Sequence, residues 1–189
     1  MIRICSIIFA LLISLSSINA IFKEVSCPQF ANATNPFELE SFMGPWFEIA
    51  RTADIDFEHG NCVNAYFQLN ANKTVNVSIE ELIEGEYQKF QLVANPFDLD
   101  TLTFKLTSSD RILMREPLAL NYQILATDYD NYAYIYSCKD VEGGRNKYFW
   151  ILLRRDSEFR DLLEEALKFL ADNYDVNRDN LAYRGSYCM

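Results

Sequence analysis

One histidine, His59, in 189 residues leaves little room for the chemistry that side chain usually supplies. General bases, proton shuttles and histidine-rich metal clusters all draw on it. Bases are scarce too, with 17 Lys and Arg against 27 Asp and Glu. That imbalance disfavours nucleic acid as a partner, because phosphate binding requires clustered cations. The chain has no CxxC and no Cys/His cluster, which removes the usual spacing of a zinc site, so no metal is expected. After residue 20 no apolar run approaches the roughly 20 residues of a membrane span. There is also no internal repeat and no low-complexity tract.

What is there begins with MIRICSIIFALLISLSSINA, one Arg before an apolar run that ends in small residues. This is the layout of a secretory signal with cleavage after Ala20, so residues 1–20 are set apart from the fold and the remainder is expected to be exported and soluble. Removal takes away Cys5 and Arg3, leaving 27 acids against 16 bases, a net charge near −11. Four cysteines remain, Cys27, Cys62, Cys138 and Cys188, an even number that in an oxidising compartment implies two disulfides. Four cysteines allow three pairings, and spacing does not choose among them. The sequons at Asn32, Asn72 and Asn76 suit an exported glycoprotein. Residues 21–189 are one domain's worth of chain. Its 14 Phe and 11 Tyr exceed what a minimal core needs, so some of them must line something.

Along the chain, Val63, Ala65, Phe67 and Leu69 alternate with polar residues, as do Val77, Ile79 and Glu81, the period of strands with one apolar face. Tyr87 to Ala94 continues the pattern, a break falls at Asn95-Pro96, and Leu102, Phe104 and Leu106 resume it. NYQILAT, YAYIYSC and YFWILLR follow. These segments make about eight strands joined mostly by short turns, the signature of an up-and-down barrel or a sandwich. Closure is favoured because long adjacent antiparallel strands otherwise leave an exposed edge. The period changes to 3.6 after Arg155, where Phe159, Leu162, Leu163, Ala166, Leu167 and Leu170 form one helical stripe. A helix over about 157–171 is expected outside the sheet, capped by Asp156 or Ser157, followed by a tail with a short strand.

Gly44-Pro45-Trp46 at the first strand, Thr127-Asp128-Tyr129 before YAYIYSC, and Arg154 after YFWILL resemble the three sequence blocks of the lipocalin family. The chain is most similar to its apolipoprotein D and insect bilin-binding branch. The resemblance implies an all-β fold with one C-terminal helix: an eight-stranded antiparallel up-and-down β-barrel over about 44–154, the lipocalin calyx, with the α-helix packed outside. It also implies that Trp46 closes the barrel floor under the Arg154 guanidinium, a structural role that a cation over an indole face explains. And it selects Cys27 with Cys138 and Cys62 with Cys188, which anchors the tail.

Alternation then assigns the cavity. With Phe67 inward, as the resemblance implies, Val63 and Ala65 follow, then Val77 and Glu81, Phe90 and Leu92, Phe104, Tyr122 and Ile124, Ile135, and Trp150. The wall is apolar and aromatic, the make-up of a site for a small hydrophobic molecule. Glu81 is the exception: dry and unpaired it is costly, which places it near the mouth with a polar partner or on the solvated rim.

Three functions compete. The first is a secreted carrier of a small hydrophobic ligand such as a fatty acid, steroid, retinoid or tetrapyrrole, not an enzyme. The second is an enzymatic or haem-binding barrel. Disulfides use all four cysteines, and His59 lies in the loop after the first strand, so no cofactor is implied and neither haem nor bilin has residue support. The third is a scaffold touching a membrane or receptor through its mouth loops, with Ile112, Leu113 and Met114 as the candidate surface. A monomer or weak oligomer is expected.

Overall fold

The computed structural model describes residues 26–28, 36–53, 55, 58, 60–107, 120–155, 159–185 and 188. A short helix α1 (Leu39–Phe42) precedes eight strands: β1 (Gly44–Thr52), β2 (Asn61–Leu69), β3 (Val75–Ile83), β4 (Glu86–Asp98), β5 (Thr103–Thr107), β6 (Asn121–Thr127), β7 (Tyr132–Val141) and β8 (Gly144–Leu153). Helix α2 (Phe159–Tyr174), a 3-10 turn at Arg178–Asn180 and strand β9 (Leu181–Tyr183) follow. Each strand pairs antiparallel with the next, and β1 pairs with both β8 and β2, so the eight-stranded sheet closes into a barrel. Further along β1, Ala50 to Thr52 pair instead with β9. The C-terminal tail thereby covers a sheet edge that closure leaves uncovered near the barrel mouth.

Two hydrophobic cores result from the period-two alternation. The inner one fills the barrel with Trp46, Phe67, Val77, Leu92, Phe104 and their neighbours. The outer one lies between the sheet and α2: Ile49, Tyr134, Tyr136, Phe149, Ile151 and Leu153 meet Leu163, Ala166, Leu167 and Leu170. Residues Leu163, Ala166, Leu167 and Leu170 recur at helical spacing, which is why one stripe of α2 can bury itself on the wall. The disulfides join Cys27 to Cys138 and Cys62 to Cys188, across 111 and 126 residues of chain.

Several local features differ from the sequence reading. The break expected at Asn95-Pro96 does not end β4, which runs through Asp98. The irregularity appears instead as a register shift against β5 between Asn95 and Asp98, because a proline lacking an N–H is tolerated at a bulge. Leu102, expected in a strand, sits in the β4–β5 turn with φ 53° while still packing on the inner core. Helix α1 is an element the sequence periods do not announce, and α2 extends to Tyr174. The proposed cap at Asp156 or Ser157, the signal segment, Asn32, His59 and the Ile112–Met114 surface lie outside the described residues. Asn72 is exposed in the β2–β3 turn. Asn76 exchanges amide hydrogen bonds with Asn70, at 2.9 and 3.2 Å.

Candidate ligand cavity and its two ends

The floor is built around Trp46. Its indole is fully buried, donates from Nε1 to the Phe42 carbonyl at 3.0 Å, and lies 3.7 Å beneath the Arg154 guanidinium. Arg154 also donates to three carbonyls, from Nε to Tyr129, from Nη1 to Pro45 and from Nη2 to Ser41, each at 2.8–2.9 Å. Gly44 adopts φ 99°, and a Cβ there would meet Arg154 Nη1 at 3.2 Å. The glycine therefore lets the guanidinium lie against the start of β1. Asp128 holds the adjacent β6–β7 turn by accepting from the Asn131 and Tyr132 amides and from the Asn131 side chain. Burial pushes the Asp128 carboxyl up, but the three hydrogen bonds outweigh it and hold the group below its ordinary value.

Above this floor lies a cavity of about 160 Å³. Val63, Ala65 and Phe67 of β2, Val77 and Glu81 of β3, Phe90 and Leu92 of β4, and Phe104 of β5 line it, as do Tyr122, Ile135 and Trp150. Ile124 does not. It shares the inward face but comes two residues nearer the floor than Tyr122, where it is 2 % exposed within the aromatic-filled core. Parity assigns a face, but not the height at which the barrel stops being filled. Phe104 stacks on Tyr122 with ring centroids 5.4 Å apart, and Tyr122 meets Trp150 at 5.4 Å, so three aromatic rings run side by side along one wall.

Of the polar end, alternation supplied Glu81 alone. Glu48, Glu58 and Glu81 all line the cavity. Glu48 was available from the sequence: it is two residues beyond Trp46 on the same strand face. Glu58 was not, because it belongs to the loop after β1, which has no period. Arg51 is packed behind this end by a β-bulge. The β1–β8 register shifts between Glu48 and Ala50, so Ile49 and Ala50 both join the outer core and Arg51 returns to the side of Glu48. A bulge re-aims the residues after it in this way.

Arg51 then ties the mouth loop down. Its Nη1 donates to Glu48 Oε1 at 2.6 Å, and Nη2 donates to the carbonyls of Gly60 at 2.8 Å and Glu58 at 3.3 Å. The Gly60 N–H donates to Glu81 Oε2 at 2.8 Å, and Trp150 Nε1 donates to Glu58 Oε2 at 2.9 Å. A Cβ on Gly60 would fall 2.2 Å from Glu81 Oε2, so the bond exists only because position 60 is glycine. Glu81 is 7 % exposed and belongs to the cavity lining and not to a solvated rim.

The electrostatics follow from this crowding. Burial pushes the Glu48 carboxyl well above its ordinary range, and the charge of Glu58 and a hydrogen bond to it push the same way. Arg51 opposes both and is outweighed. Burial disfavours the charged guanidinium of Arg51, but Glu48, Glu58 and Glu81 more than offset this. The Tyr122 hydroxyl is pushed up by burial first and by Glu58 second. Among the described residues no group of His, Cys, Asp and Glu side chains is arranged to hold a metal ion.

Comparison with known proteins places this architecture. The model of the lipocalin / cytosolic fatty-acid binding protein family matches residues 43–184. Apolipoprotein D of Cavia porcellus is 32 % identical over 171 residues, covering 80 % of this chain and 82 % of that protein. The Lazarillo protein of Schistocerca americana is 30 % identical over 156 residues, covering 77 % and 69 %. Among solved structures, insecticyanin from the tobacco hornworm Manduca sexta superimposes with a TM-score of 0.66 at 18 % identity, covering 86 % of this chain and 87 % of its own. Lobster apocrustacyanin A1 does so at 0.65 and 19 %, covering 85 % and 94 %. The closed barrel, the outer helix and the Trp46–Arg154 floor agree with these matches, and this chain belongs to the lipocalin / cytosolic fatty-acid binding protein family.

Proposed function

We propose that the protein is a secreted, non-enzymatic carrier that holds a small hydrophobic ligand in the barrel. The observation that carries this reading is the cavity itself, enclosed by aliphatic and aromatic side chains above a sealed floor. Apolar area moved from water into such a site contributes roughly 25 cal/mol per Å² before the cost of immobilising the ligand. Family membership supports the same reading, and so do the two disulfides, which suit an oxidising medium. The leading segment 1–20 serves as the export signal, and the sequons are available for glycosylation. A void of about 160 Å³ is close to the size of an apolar cavity that takes benzene. It therefore favours a compact ligand or a compact apolar moiety, and a steroid or tetrapyrrole requires side chains to move aside.

The test combines native mass spectrometry with fluorescence quenching across fatty acids, steroids, retinoids, bilins and single-ring aromatics. Trp150 faces the cavity and Trp46 is sealed beneath Arg154, so the reporter is Trp150. At least one ligand is expected to add its mass to the protein and to quench saturably at micromolar concentration. The Trp150→Phe variant should keep the mass shift and lose the quench. A panel in which nothing is retained and nothing quenches overturns the carrier reading.

A further inference from the structure

The aromatic wall of the cavity carries one hydroxyl that the protein does not use. Tyr122 is 5 % exposed and lines the void, and among the described residues nothing donates to or accepts from its phenol oxygen. The polar groups around it are engaged elsewhere. Trp150 Nε1 donates to Glu58 Oε2, and Ser137, opposite Tyr122 on β7, donates its hydroxyl to the Asn121 carbonyl. Nor is the oxygen sealed inside the packing, as the orphan Nε atoms of Arg51 and Arg184 are. It opens on the void.

Two neighbours fix the direction in which that oxygen points. Phe104 stacks on the Tyr122 ring at 5.4 Å and 15°, and Trp150 meets it at 5.4 Å and 46°, so the C–O bond is held with the ring. Burial keeps the phenol above its ordinary pKa, and the oxygen therefore retains its proton at neutral pH and acts as a donor. A hydroxyl taken out of water and given no acceptor is costly, and the cost is recovered by whatever supplies one. Because the ring is already immobilised, little further freedom is lost when that bond forms. One preset donor on an aliphatic and aromatic wall calls for one acceptor on an otherwise apolar guest. A carbonyl or ether oxygen meets this demand without adding a proton that needs an acceptor of its own.

Resting on the carrier reading, we propose that Tyr122 is the polar anchor of the cavity and that it selects compact neutral ligands bearing a carbonyl or ether oxygen. The ligand oxygen accepts from the Tyr122 O–H, and the apolar body packs against Phe67, Phe90 and Leu92, which line the same void.

The experiment is calorimetric titration of the wild type and of Tyr122→Phe with acetophenone and α-methylstyrene, which share a skeleton and differ in having a carbonyl oxygen or a methylene at one position. Tyr122→Phe should weaken acetophenone at least about 5-fold and bind α-methylstyrene no less tightly than the wild type does. An equal change for both probes, or none for acetophenone, overturns the inference. The ligand-free variant keeps the ring contacts and loses no bond within the protein, so it should melt no lower than the wild type. A melting point more than about 4 °C lower, the size of a lost hydrogen bond in a chain of this length, would show that the hydroxyl is already partnered and also overturns it. Should the variant fail to fold, the wild type decides: infrared difference spectra should place the C=O stretch of bound acetophenone below its position in an alkane solvent, and an unshifted band sinks the proposal. Binding of both probes without dependence on Tyr122 leaves the carrier reading standing and removes only this one, whereas no binding by these probes or by the wider panel removes both.

Discussion

The two ends of the barrel each centre on an arginine, and the two arginines are treated oppositely. At the floor, Arg154 lies over Trp46 and donates only to carbonyls. Burial pulls its pKa down, and the more distant charges of Asp130 and Asp128 offset this only in part. At the mouth, Arg51 sits among Glu48, Glu58 and Glu81, whose charges hold its pKa up against burial. Both arginines tie backbone segments together, and each end has a glycine that permits a close approach, Gly44 to Arg154 and Gly60 to Glu81. The difference lies in the counter-charge. A guanidinium paired with carbonyls and an indole seals, while one set beside a buried carboxyl group holds the mouth loop to the wall. Role is therefore set by what surrounds the residue type.

The largest effect is expected at the floor. Trp46→Ala removes a fully buried indole and the surface on which Arg154 lies. It is expected to cost about 3–5 kcal/mol, read as a lower urea midpoint at unchanged slope. A cost below about 1 kcal/mol would mean that the floor is not held by the stacked pair. Asp128→Ala, in the turn that presents the Tyr129 carbonyl to Arg154, should cost roughly 1–2 kcal/mol, as expected for lost hydrogen bonds to a charged acceptor. Because its folded pKa is lowered, Asp128 contributes stability above the unfolded carboxyl value of 3.8 that is lost as pH falls through the folded value. The variant should therefore lack that part of the acid limb in a pH series of thermal melts.

The smallest expected effect is at the mouth and has the opposite sign with pH. Glu48 binds its proton more tightly folded than unfolded, so its contribution is complete below the ordinary carboxylate value of 4.5 and fades as pH rises toward the folded one. Glu48→Gln should flatten that decline while leaving stability at low pH nearly unchanged. A decline of the same steepness in the variant would show that Glu48 is ionised against Arg51 and would make the mouth electrostatically similar to an ordinary ion pair.

The walls of the barrel were legible because alternation is a property of the strand backbone and survives any packing. Phe67, Val77, Leu92 and Phe104 follow from it, as does the outward run Tyr132, Tyr134, Tyr136 that meets α2. The polar end was legible only in part. Glu81 was read on the inner face, and Glu48 was implied by its spacing from Trp46. Arg51 was hidden by the bulge at Ile49, since an inserted residue reverses every assignment beyond it. Glu58 was hidden because a loop has no period. Gly60 carried a signal of a different kind: a glycine before a strand often marks close backbone approach, but the partner, Glu81 across the sheet, depends on register that sequence alone does not give. Ile124 shows the remaining limit, since whether an inward residue lines a void or fills the core depends on how far the floor packing reaches.

The positions of the disulfides add a final asymmetry. Cys62 opens β2 just after the mouth loop, and Cys138 lies in the part of β7 that leads away from the floor. Both covalent ties therefore secure the same half of the barrel, and the Trp46 half depends on contact alone. Thiol reduction acts on one rim and not on the other. A barrel so constructed carries a record of its surroundings: in an oxidising medium its upper edge is stitched to both chain ends, and in a reducing one the same edge loosens while the base stays shut.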